Sequence, residues 1–84
     1  ARPYFVVYPN PIVGNNLQIR FFDKVLRNSN LTVYNSLGQL VFSTSLDADE
    51  RNFSFPLQQL TAGVYQLVIQ DNLRSYSQKF IIER

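Results

Sequence analysis

The sequence predicts an all-β fold, a seven-stranded antiparallel β-sandwich of immunoglobulin-like type, and three observations carry that expectation. Short runs of β-branched and aromatic residues recur at roughly even spacing. Several alternate apolar and polar side chains with the two-residue period of a half-buried strand, and turn-forming Gly, Asn, Asp or Pro residues fall between them. No stretch carries a helical pattern long enough to hold as a helix. Two packed antiparallel sheets are therefore expected, with a small closed barrel as the alternative.

Residues 4–8 are an apolar run that reads as a first strand, and residues 1–3 read as a linker remnant. Pro9-Asn10-Pro11 ends the strand, because each proline fixes φ, removes a donor and disfavours the helical region for the residue before it. On the residues alone, this is a rigid kink between strands. Residues 17–21 alternate cleanly, with Leu17, Ile19 and Phe21 inward and Gln18 and Arg20 toward solvent. Phe22 breaks the alternation and meets either a neighbouring loop or a bulge. Asn28-Ser29-Asn30 is a turn, and Leu31 and Val33 are the inward pair of the next strand. Asn35 first and Gly38 fourth is the composition of a type I turn closing a hairpin onto residues 39–44. The inward parity of that partner strand stays open between Leu40 with Phe42 and Val41.

Residues 47–52 are the one charge-dense stretch and read as a solvated loop, since the spacing and central Gly of a calcium loop are missing. Phe53, Phe55 and Leu57 share one face of a fifth strand. Pro56 cannot donate to a ladder and belongs at an edge or a strand end. Residues 57–60 allow one turn of helix and plug the core with Leu60. The most strongly patterned element is the last hairpin. Gly63 marks a turn, Tyr65, Leu67 and Ile69 share a face of strand 64–69, Asp71-Asn72 turns the chain, and residues 76–82 return.

Bulk properties bound the function. The 84 residues allow one domain, 1–84, and a chain this short buries only ~60% of the surface its unfolded form exposes. A hydrophobic share of 45% against 17% charged residues places it among folded chains, and seven Phe with five Tyr supply large apolar area per residue. The net charge of +2 is small and the basic residues are scattered, which argues against nucleic acid as a partner. No apolar run reaches the ~20 residues of a membrane-spanning helix, so membrane insertion is not expected. His and Cys are both absent, which removes Ser–His and Cys–His nucleophilic systems and imidazole or thiolate metal sites. The carboxylates Asp23, Asp47, Asp49, Glu50, Asp71 and Glu83 fall in expected turns or at the end of the chain. Gly14, Gly38 and Gly63 are isolated and make no phosphate loop. No enzyme, no cofactor and no metal are expected. Without an initiator Met, the sequence reads as a domain of something longer, and Glu83-Arg84 as its natural C-terminus.

Four blocks then resemble one family. Tyr8-Pro9-Asn10-Pro11 with Leu17-x-Ile19 is similar to the opening motif of the type A C-terminal sorting domain of the type IX (Por) secretion system. Leu31-x-Val33-Tyr34-Asn35-x-x-Gly38-Gln39-x-Val41 is similar to its middle motif. Leu60-x-x-Gly63-Val64-Tyr65-x-Leu67-x-Ile69 is similar to its next block, and Lys79-Phe80-Ile81-Ile82-Glu83-Arg84 to its basic, β-branched tail. The resemblance implies a small β-sandwich at the end of a secreted cargo protein of a Gram-negative bacterium. It also implies export through the periplasm and across the outer membrane by a dedicated translocon that recognises the domain. A cell-surface sortase would then cleave upstream, before or near Ala1, leaving the cargo at the cell surface.

For such a domain the resemblance points to Lys79, Phe80, Ile81, Ile82 and Arg84 as the translocon-recognition residues. Tyr8, Pro9, Asn10, Pro11, Gly38, Gly63 and Tyr65 are motif residues of mainly structural role. Strand parity puts Phe80 and Ile82 on the face of Tyr76, and Lys79 on the face of Ile81 and Glu83, so one face packs and the other is displayed. Partners would be translocon and sortase proteins, and an exposed edge strand offers self-association. A competing reading is a sandwich-type carbohydrate- or protein-binding accessory module, with Phe22, Tyr34 or Tyr76 as an exposed aromatic platform. A plain structural spacer is the third.

Overall fold

The computed structural model describes residues 4–22, 28–46, 50–57 and 59–83. The chain runs through seven strands: β1 (Phe5–Tyr8), β2 (Asn16–Phe21), β3 (Asn30–Asn35), β4 (Leu40–Ser45), β5 (Asn52–Pro56), β6 (Gly63–Gln70) and β7 (Ser75–Ile82). They form two antiparallel sheets, one ordered β1-β2-β5 and the other β4-β3-β6-β7. The chain crosses between sheets after β2, β4 and β5, as in immunoglobulin-like sandwiches. Two separate sheets exclude the closed barrel.

The expected strand faces meet in the core. Leu17, Ile19 and Phe21 of β2 bury against Leu31 and Val33 of β3, Leu67 and Ile69 of β6, and Phe80 and Ile82 of β7. The connections close the ends: Ile12, Leu46, Leu57 and Leu60 are all buried. Leu60 donates its N–H to the Leu57 carbonyl at 2.9 Å, and both leucines plug the core where the sequence pointed to Leu60. Aromatic rings link the layers. Phe42 of one sheet meets Phe55 of the other at 5.7 Å between centroids, and Tyr4 meets Tyr76 at 4.5 Å.

Turn chemistry follows the residues. Asn35 accepts from the N–H groups of Leu37 (3.0 Å) and Gln39 (2.9 Å) through its side chain, and its carbonyl accepts from Gly38 at 3.0 Å. Gly38 takes φ of 81°, a conformation that a residue with a Cβ enters only at a cost. Asp71 closes the β6–β7 turn in the same way, its carboxylate accepting from Leu73 and Arg74 at 2.7 Å each. Pro56 is the last residue of β5, an edge strand, where a missing donor costs no ladder bond.

The open parity of β4 has a physical cause. Val33 pairs with Phe42 but Tyr34 pairs with Leu40, so Val41 is an extra residue in a β-bulge. The bulge lets Val41 and Phe42 both pack against the core and turns Leu40 outward. Phe22 lies just past the end of β2, half-buried, and its N–H donates to the Tyr4 carbonyl at 3.2 Å.

Candidate functional site

Strand β7 forms one edge of the four-stranded sheet and pairs with β6 along its whole length, from Gln70 opposite Ser75 to Gly63 opposite Ile82. Its parity divides the tail residues. Phe80 and Ile82 point inward and are fully buried, whereas Lys79 and Ile81 point outward and are exposed. Phe80 stacks on Tyr65 at 5.7 Å with the rings 19° from parallel. Tyr65 in turn donates its hydroxyl hydrogen to the Thr61 carbonyl at 2.7 Å. A tyrosine near the start of a strand that bonds back to backbone a few residues upstream is the tyrosine corner of immunoglobulin-like sandwiches. The side chains of Phe80 and Ile82 are thus unavailable to a partner while the domain is folded. Arg84 lies outside the described residues, as do residues 1–3, Asp23, Asp47 and Asp49.

The opening Pro-Asn-Pro segment does more than kink the chain. It crosses from the edge of the three-stranded sheet to the outer edge of β7 and runs parallel to it at Ile12 and Ile82. Ile12 donates its N–H to the Ile81 carbonyl and accepts from the Glu83 N–H, both at 2.8 Å. The Asn10 side chain accepts from the Ile81 N–H at 3.1 Å. Both X–Pro bonds, Tyr8–Pro9 and Asn10–Pro11, are cis. The first and last blocks of the sequence therefore meet, and the strap ties down the backbone of the displayed end of β7. Gly63, opposite Ile82, starts β6 beside them.

The outer face of the four-stranded sheet can be read row by row from the register. Ser45, Asn30, Gln70 and Ser75 form the first row, and Ser43, Thr32, Val68 and Ser77 the second. Leu40, Tyr34, Gln66 and Lys79 form the third, and Val64 beside Ile81 the fourth. The face changes from hydroxyls and amides at one end to aliphatic and aromatic side chains at the other. At that second end Leu40 is 57%, Val64 44% and Ile81 41% exposed, and Leu37 stands out at the adjoining turn. A half-open pocket of about 380 Å³ lies between the Tyr34–Gly38 turn segment on one side and Val64, Tyr65, Gln66 and Lys79 on the other. Lys79 has no carboxylate partner among the described residues.

Of the residues singled out from sequence, Lys79 and Ile81 come together on this surface, and Gly38 lines its pocket. Tyr8 is exposed on the outer face of the other sheet. The three aromatics weighed as a sugar platform separate. Tyr34 is on the outer face, Tyr76 packs inward with Tyr4 beneath the Arg74 guanidinium, and Phe22 follows β2 of the other sheet. Sequence reasoning missed Val64 and Leu40. Val64 was within reach of the parity argument, since it alternates with Tyr65, Leu67 and Ile69; the bulge hid Leu40.

Compared with known families, residues 6–83 match the secretion system C-terminal sorting domain. A comparison with curated proteins gave no match.

Proposed function

The chain belongs to the secretion system C-terminal sorting domain family, the type IX secretion C-terminal sorting signal, and from that premise we propose that it directs its cargo through the outer-membrane translocon by presenting the end of β7. Lys79 and Ile81 make the direct contact together with Arg84, while Phe80 and Ile82 hold the strand in place from below. The observation that carries this reading is the parity split at the end of β7, where Phe80 and Ile82 pack inward and Lys79 and Ile81 are left to solvent. The domain acts as an address and does no chemistry of its own.

After export a cell-surface sortase removes the domain by cutting before β1. Support comes from the packing at the start of the fold. Tyr4 is held against Tyr76, with Arg74 at 5.4 Å over its ring. A protease needs an extended, accessible segment, and from Tyr4 to Tyr8 the backbone is engaged with β2 and Phe22. The released cargo stays at the cell surface or leaves it.

The test is export of a reporter fused ahead of residues 1–84, in a bacterium that has the type IX machinery. Replacing Lys79 and Arg84 by alanine should leave the reporter in the periplasm while the domain still folds. Normal surface delivery of a folded double variant would contradict the reading. Mass spectrometry of the released domain fixes the cut, expected upstream of Phe5.

A further inference from the structure

We infer that the recognition surface is a composite of three or more strands, with Leu40, Tyr34 and Val64 as much a part of it as Lys79 and Ile81, and that its occupant is a protein surface presenting an apolar ridge with a carboxylate seated beside Lys79. The inference rests on the sorting reading above and deepens it. Leu40 of β4, Val64 of β6 and Ile81 of β7 are three exposed large apolar residues from separate strands that gather at one end of one sheet. The strand residues at the other end of the same face are Ser43, Ser45, Thr32, Ser75 and Ser77, the ordinary composition of a solvated sheet face, and the exposed leucines Leu73 and Leu37 stand in the turns at the two ends rather than on the face. A cluster of exposed apolar side chains that packing inside the domain does not require marks an interaction site.

The chemistry of the occupant follows from the pocket at the centre of the cluster. Its cation, Lys79, is without a carboxylate among the described residues, and Tyr34, Ser36 and Gln66 around it are uncharged hydrogen-bonding groups. Glu83 follows one step beyond the end of β7 and does not line the pocket. A carboxylate entering beside Lys79 gains a charge-assisted hydrogen bond in a partly desolvated setting, and the aliphatic neighbours exclude water around it. A sugar would ask for a broad exposed aromatic floor, whereas of the two tyrosines that line the pocket Tyr65 is buried and stacked on Phe80, which leaves Tyr34 alone on the outer face.

A composite surface exists only in the folded domain, so residues far from the tail in sequence must matter as much as the tail. The experiment uses the same reporter fused to the full 84-residue chain, with thermal unfolding of each variant measured alongside export. Leu40→Ser, Tyr34→Ser and Val64→Thr are expected to lower surface delivery about tenfold each, the size of effect that loss of one anchor residue produces. Lys79→Gln should do the same and Lys79→Arg should restore delivery. Normal delivery by the Leu40, Tyr34 and Val64 variants, with Lys79 and Arg84 replacements still blocking it, would overturn the composite surface and leave the sorting reading intact. Normal delivery by every variant, tail replacements included, would overturn the sorting reading itself. A dimer in solution that the Leu40 and Val64 variants dissolve without any change in export would make a second copy the occupant, and would also overturn the inference.

Discussion

The two ends of the outer face of the four-stranded sheet share strands, sheet and core, yet differ in what they show to solvent. At one end Asn30, Ser45, Gln70 and Ser75 lie side by side, and at the other Leu40, Tyr34, Gln66 and Lys79 precede Val64 and Ile81. The layer beneath is apolar at both ends, with Leu31 and Ile69 under the first and Tyr65, Phe80 and Ile82 under the second. Folding alone therefore explains the inner face and leaves the outer difference unexplained. The strap of residues 10–12 binds the backbone of β7 at the apolar end and at no described point of the polar end. Protection of the edge and display of the face coincide, which suits a surface that must meet one partner without pairing with others.

The comparison can be broken most severely from below. Phe80→Ala removes a fully buried ring under the apolar end and should cost about 3–5 kcal/mol, a large part of the stability of so small a domain. Calorimetry or denaturant unfolding would register it, and export should fail because no folded surface remains. Tyr65→Phe keeps the ring on Phe80 and deletes the hydroxyl bond to Thr61. A loss of about 1 kcal/mol is expected, with export retained wherever the domain stays folded. Asn10→Ala frees the Ile81 N–H at the edge, a smaller loss of roughly 0.5–1 kcal/mol because water can replace the acceptor. Faster amide exchange at Ile81, with Leu67 and Ile69 unchanged, would identify that site. Ile81→Ser is smaller still for the fold, about 0.2–1 kcal/mol through its cross-strand pair with Val64, while surface delivery should fall as for the other apolar-end residues.

Much of this was legible in the residues. Alternation placed Leu17, Ile19, Phe21, Leu31, Val33, Tyr65, Leu67 and Ile69 on the inner faces, because a half-buried strand writes its burial directly into the sequence. The Asn35 and Gly38 turn was legible because its chemistry is local. The β4 bulge was not, since one extra residue reverses parity without leaving a mark in composition. The contact of Asn10 with Ile81 spans nearly the whole chain, and no local pattern encodes it. The proposed recognition surface was half legible: strand parity separated Lys79 and Ile81 from Phe80 and Ile82. Their neighbours Leu40, Tyr34 and Val64 required the register of three strands that are apart in sequence.

The most direct measurement sets the two ends of the face against each other. One variant carries Leu40→Ser, Val64→Thr and Ile81→Ser; the other carries Ser43→Ala, Ser75→Ala and Ser77→Ala, and both are compared for reporter delivery to the cell surface after their folding has been verified by thermal unfolding. The apolar-end variant should hold the reporter in the periplasm and the polar-end variant should deliver it like the unaltered domain. Equal delivery by two folded variants would contradict the assignment of recognition to the apolar end.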